Sequence, residues 1–172
     1  MGSRLAPGPM GILAKAHSLF AAGEFGEAAD LFENLAISAQ AAGMPRAPRL
    51  FIQAARANWR AGQAAHGMDL LRSALDLLAA AGAGGVLAQA VNMSAAELNG
   101  LGLPREAGAL RAYASTLSGW DDSAAPAPTA GKPTLPAQCP QCGGAVRSNE
   151  VDWIDEQTAE CAYCGSPLRP EK

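Results

Sequence analysis

Apolar residues recur at helical spacing through the first 120 residues of the chain. Ile12, Ala16 and Phe20 lie four apart, as do Phe51, Ala55 and Trp59, and Leu71, Ala74, Leu75 and Leu78 continue the pattern. Spacings of three, four and seven place side chains on one face of a helix. Short glycine-bearing breaks interrupt the runs, notably "AAGMPRAP" and "AAAGAGG". The pattern predicts six helices in three hairpins. First helices run near 9–22, 46–61 and 85–101, and second helices near 24–42, 63–81 and 104–118. Pro104 suits the first turn of the last one, where its missing N–H costs nothing.

The hairpins are related by an internal repeat. Aligning "LFAAGEFGEAADLF" (19–32), "NWRAGQAAHGMDLL" (58–71) and "LNGLGLPREAGALR" (98–111) superposes Gly23, Gly62 and Gly102, at steps of 39 and 40 residues. A small residue follows each glycine, at Ala28, Gly67 and Ala107, and then a bulky one, at Leu31, Leu70 and Leu110. Glycine between two helical patterns reads as a tight interhelical turn. Three such units predict a short antiparallel helical-hairpin solenoid or compact bundle.

The segment "HSLFAAGEFGEAADLFENLA" resembles a tetratricopeptide repeat. That family's pattern, G-x-[YF]-x-x-A-x-x-x-[YF], is filled by Gly23, Phe25, Ala28 and Phe32, with Ala36 next on the same face. The second unit keeps Trp59 and Gly62, and the third follows more loosely. The steps are longer than the family's usual 34 or so residues. Over residues 9–118 the resemblance implies a binding scaffold whose first helices line a groove for a peptide or partner helix.

Composition adjusts this picture. Hydrophobic residues make up 49% of the chain but aromatics only 5%, because alanine dominates. Alanine favours helix and adds little core volume, so helices should pack closely through small side chains. After Trp120 the character changes. "DDSAAPAPTAGKPTLPAQ" holds four prolines and no aromatic, the composition of an extended linker. Expected domains are therefore 1–120 helical, 121–137 linker and 138–172 a cysteine-bearing module. A net charge of −3 gives no general attraction to nucleic acid or anionic lipid. No apolar run approaches the roughly 18 residues of a membrane span. The opening "MGSRLAPGPMGILAKAHSLF" lacks the apolar core of a secretory leader, so a reducing cytoplasm is the expected compartment.

All four cysteines lie in the third part. Cys139 and Cys142 form one C-x-x-C pair, Cys161 and Cys164 the other, with 18 residues between them. Four thiolates at this spacing suit one tetrahedral Zn2+. Gly143 and Gly165 follow each second cysteine and permit the tight turn that aims backbone amides at sulfur. "CPQCGG" and "CAYCGS" resemble zinc-ribbon knuckles, which implies a small structural zinc module with short β-strands. Iron in a four-cysteine cage is the alternative metal. A catalytic zinc would keep an open position that four thiolates fill, and a redox dithiol normally sits in a βαβ context absent here. From Gln138 onward, three basic residues face six acidic ones, which argues against phosphate binding. Trp153 is expected to plug the small core.

One further feature points to a partner. Arg46, Arg49, Gln53, Arg56 and Arg60 fall within about 80° on one helix face, opposite Phe51, Ala55 and Trp59. The arginines suit an acidic peptide through bidentate hydrogen bonds. The competing expectation is a solvated face paired with Glu27, Asp30 or Glu33. His17 and His66 belong to no hydrolase motif. "AGAGG" (81–85) follows a helix, and "GKPT" (131–134) lacks the first glycine of a phosphate loop. Together these readings predict a non-catalytic protein–protein adaptor with one structural zinc and a protein or peptide partner. A homodimer through uncovered Ala-rich helices is a further expectation. The alternatives are a nucleic-acid-associated regulator acting through the ribbon and a zinc–thiol redox sensor.

Overall fold

The computed structural model describes residues 9–120, 133–140, 146, 151–153, 157–161 and 167–170. The chain falls into two compact units, one of Ser18–Pro126 and one combining Met1–His17 with Ala127–Lys172. Among the described residues it is mainly helical. Six helices follow in order: α1 Pro9–Ala22, α2 Phe25–Ala41, α3 Ala47–Arg60, α4 Ala64–Ala80, α5 Gly84–Gly100 and α6 Pro104–Ala114. No helix among the described residues is long and apolar enough to cross a membrane.

The turns between helices share one design. Gly23, Gly43, Gly62, Gly82 and Gly102 all have positive φ, between 63° and 85°, and lie 19 or 20 residues apart. At Gly62 the glycine N–H donates to the Trp59 carbonyl at 3.1 Å, and the Gln63 N–H reaches back to Asn58 O at 2.8 Å. The same pair of bonds recurs at the other four turns. This is the Schellman closure, which satisfies the last carbonyls of a helix and needs a left-handed residue that glycine adopts without strain. The repeat is thus finer than a hairpin of 39 or 40 residues: one helix and one turn recur about every twenty.

The expected helix boundaries agree within three residues except at α6, which ends at Ala114 rather than near 118. There the Ser115 hydroxyl donates to Ala112 O and the Thr116 hydroxyl to Tyr113 O, each at 2.7 Å. Hydroxyls that compete for the last carbonyls favour tighter three-residue turns over another α-turn.

Small residues set the packing. Ala28, Gly67 and Ala107 are all buried, as the repeat predicts. A Cβ on Gly67 would sit 2.5 Å from Cδ1 and Nε1 of Trp59 and 2.8 Å from the Ala55 carbonyl. The close approach of α4 to α3 therefore requires glycine there. Beyond the small residue, Leu70 and Leu110 are buried, but in α2 the buried bulky residue is Phe32, and Leu31 is only partly covered. Helix α3 packs on both α2 and α4, and α5 on α4 and α6. After α6 the chain returns to the start of α5, where a Cβ on Gly84 would lie 2.6 Å from Gly119 O.

Beyond residue 133 the described segments include three two-residue strands: β1 Asp152–Trp153, β2 Ala159–Glu160 and β3 Pro167–Leu168. They pair antiparallel in the order β1-β2-β3, with Asp152 opposite Glu160 and Ala159 opposite Leu168. Their core is Leu135, Cys139, Val151, Ala159, Cys161 and Leu168, with Val146 packed against it. Val146 also donates its N–H to Ala137 O at 2.9 Å. This core reaches back to Leu135, into the proline-rich stretch. The rest of the expected linker, residues 121–132, and the Trp153 side chain lie outside the described residues.

Candidate functional site

Helix α3 buries Phe51, Ala55 and Trp59 and turns its arginine stripe the other way. Arg56 and Arg60 are one turn apart, so their guanidiniums can converge on a single group. That group is Glu97 of α5. Arg56 Nε donates to Oε2 at 2.6 Å, while Arg60 Nη2 and Nε donate to Oε1 at 2.7 and 3.1 Å. Both carboxylate oxygens thus accept charge-assisted bonds, and the Glu97 side chain is only 15% exposed. The guanidiniums also lie over aromatic rings. Arg60 is 5.3 Å from the Phe20 centroid and 5.9 Å from that of Phe25, and Arg56 is 5.9 Å from Phe20. Phe20 and Phe25 meet edge to face at 5.3 Å. Cation–π attraction and the ion pairs therefore both hold the arginines in place. Gln53 adds a long contact, accepting from Arg56 Nη1 at 3.4 Å.

Arg56 and Arg60 thus pair with Glu97 of α5 rather than with the expected acids of α2. Among the described residues, Glu33 instead holds His66 Nε2 at 2.8 Å, and Glu27 and Asp30 are exposed. Arg46, at the N-cap of α3, has its Nε buried with no hydrogen-bond partner among the described residues, and Arg49 is partly buried. The sequence reading missed Glu97, Phe20 and Phe25 as members of this site. One signal was present: Glu97 is the only charged residue between Asp76 and Arg105.

The second helices of the hairpins carry their own links. Glu33 of α2 reaches His66 of α4, and the Tyr113 hydroxyl of α6 donates to Asp76 of α4. Arg72 pairs with Asp69 at 2.9 Å and stands 5.7 Å over the Tyr113 ring. The Tyr113 phenol is pushed above its ordinary value, first by the hydrogen bond to Asp76, then by burial and the Asp76 charge, with Arg72 opposing. Between α4 and α6 lies a shallow groove of about 310 Å³, lined by Met68, Asp69, Arg72, Arg105 and Glu106 among others. Its mixed charge favours no single ligand type.

The cysteines form the second candidate. Cys139 and Cys161, one from each C-x-x-C pair, are both buried in the same small cluster. Two thiols from separate pairs in one cluster fit a shared thiolate site, in which Cys139, Cys142, Cys161 and Cys164 would hold the metal. Cys142 and Cys164 lie outside the described residues. Among those described, no three His, Cys, Asp or Glu side chains converge on a common point.

No protein-family model matches the chain, and no curated protein or solved structure shows significant similarity to it.

Proposed function

We propose that this protein is a non-catalytic adaptor. Its helical array takes an acidic protein or peptide partner along the arginine-bearing face of α3, and a small zinc-stapled module supplies a second contact. The carrying observation is the sorting of charge between two helices packed side by side. Helix α2 has Glu27, Asp30 and Glu33 and no base, whereas α3 with its N-cap has Arg46, Arg49, Arg56 and Arg60 and no acid. A cationic face beside an acidic one selects partners by sign and orientation. In this reading the metal is a structural crosslink held by Cys139, Cys142, Cys161 and Cys164, and carries no chemistry.

Comparative affinity capture tests the proposal. Wild type is set beside two full-length variants, one with Arg46 and Arg49 changed to Gln, the other with Cys161 changed to Ser. Partners that are acidic, and that the arginine variant loses while the cysteine variant retains some, support two separable contact modules. A partner set unchanged by the arginine variant removes the Arg46 and Arg49 end of α3 as the binding face. Salt-sensitive retention of DNA or RNA would favour a nucleic-acid role instead.

A further inference from the structure

The contact between Arg56, Arg60 and Glu97 is built like a ligand site whose ligand is attached to the chain. Its cradle comes wholly from the first three helices: Phe20 of α1, Phe25 of α2, and Arg56 and Arg60 of α3. The carboxylate comes from α5, 41 and 37 positions beyond the arginines it meets. The arginine side chains remain 27% and 34% exposed, so solvent reaches the cradle even while Glu97 fills it. Each guanidinium presents five donors. Glu97 takes one N–H of Arg56 and two of Arg60, leaving donors for a second acceptor.

What lies beside Glu97 is equally telling. Met93 precedes it by one helical turn and Val86 by three, and at 100° per residue the three fall within about 40° on α5. Met93 is 49% and Val86 47% exposed. An exposed apolar strip thus leads directly to a carboxylate held by two arginines. A segment with apolar side chains at helical spacing and a carboxylate at one end would cover the strip and compete for the cradle.

We propose that Glu97 is an internal gate: an acidic, amphipathic segment of a partner docks along Val86 and Met93 and displaces the Glu97 carboxylate from Arg56 and Arg60. This rests on the adaptor reading and adds its regulation. The attached carboxylate competes with every partner, so apparent affinity is lowered by the fraction of time the cradle is closed. Displaced Glu97 can turn to water beyond the covered strip, because Gly100 and Leu101, one turn further along, are exposed. Only a partner that contributes both charge and apolar contact then gains enough to open the gate.

Two probes separate failure of the gate from failure of the adaptor reading. The first is sodium acetate against sodium chloride at equal ionic strength, applied to the full-length Glu97→Ala protein. The expected result is a rise in melting temperature and a shift of the Arg56 and Arg60 Nε–H resonances with acetate alone. The second is a synthetic helical peptide bearing Glu and Leu at seven-residue spacing, with a Gln-for-Glu peptide as control, followed by fluorescence anisotropy. Glu97→Ala and the milder Glu97→Gln should bind the acidic peptide several-fold tighter than wild type, and Met93→Glu should abolish that gain. Unchanged or weaker peptide binding by both Glu97 variants makes the contact a plain brace and overturns the gate. Acetate-insensitive arginines alongside normal peptide binding overturn the gate but leave the adaptor reading standing. An acetate response with no peptide binding by any variant removes the acidic-partner reading, and the gate with it.

Discussion

The helical array and the cysteine module solve the problem of a small core in opposite ways. The array has few large side chains, yet Ala28, Ala36, Ala54, Ala55, Ala74 and Ala95 are all fully or almost fully buried, and each helix from α3 to α5 packs on more than one neighbour. Its stability is spread over many close contacts made between small residues, in the way of a linear repeat. Among its described residues the module has six buried core residues, two of them cysteines, and strands of two residues each. Strands so short cannot stand on packing alone. Removing one contact should therefore weaken the array slightly, whereas removing the proposed zinc crosslink should abolish the module.

The largest expected effect tests that contrast directly. Native mass spectrometry of protein purified without added metal should show one zinc per chain. Adding a chelator should then abolish hydrogen-exchange protection at Val146, Ala159 and Leu168 while helical circular dichroism persists. Structural zinc of this type contributes on the order of 10 kcal/mol of apparent binding energy, far more than the module's core can replace. Cys161→Ser should reproduce the chelated state. Loss of helical signal together with the module would show that the two regions do not stand on different footings. Protein without metal but with two disulfides would move the thiol-redox alternative to the front.

An intermediate effect separates two glycines within the array. Gly67→Ala places a methyl group against the Trp59 ring and the Ala55 carbonyl, and should cost about 1–3 kcal/mol in urea unfolding. Gly108 lies inside α6, is exposed, and has open space where a Cβ would go. Gly108→Ala should instead stabilise by about 0.5–1 kcal/mol through helix propensity. Equal responses at the two positions would mean that the distance between α3 and α4 is not set by the small residue.

These glycines also mark how far the fold was legible in the sequence. Gly23, Gly62 and Gly102 announced their turns because a left-handed residue is needed at each, and Ala28, Gly67 and Ala107 announced buried small positions, of which Gly67 has no room for a Cβ. Both are local demands, so a single sequence carries them. The partner of the arginine stripe was not legible. Any of several acids satisfies the charge, and the choice of Glu97 over Glu33 depends on which helix the packing brings to Arg56 and Arg60. The early end of α6 was hidden for a similar reason. Ser115 and Thr116 are compatible with helix until their hydroxyls take the carbonyls behind them. For the cysteines, spacing named all four proposed ligands, and the described fold adds that Cys139 and Cys161 share one buried cluster.

The smallest expected effect concerns the row of second helices, and it fixes whether that row is linked as tightly as the row of first helices. Arg56 and Arg60 grip Glu97 through permanent charge, whereas α6 is tied to α4 through the phenol of Tyr113, which can titrate. Because Asp76 accepts its proton in a hydrogen bond, the folded Tyr113 value lies above the ordinary one. A raised value in the folded state means that the link contributes fully below the unfolded tyrosine value, about 10, and is lost as pH rises through the folded value. In an ultraviolet titration of the chain, which has only Tyr113 and Tyr163, one phenol should ionise late. Tyr113→Phe should delete that late component, and Asp76→Asn should move it down. The melting temperature of wild type should exceed that of Tyr113→Phe at neutral pH and converge with it in strong alkali. A Tyr113 that ionises normally would mean that Asp76 does not hold its hydroxyl in solution. Of the polar links described between α4 and α6, the row of second helices would then keep the Arg72 stacking contact, and it would be the looser side of the array.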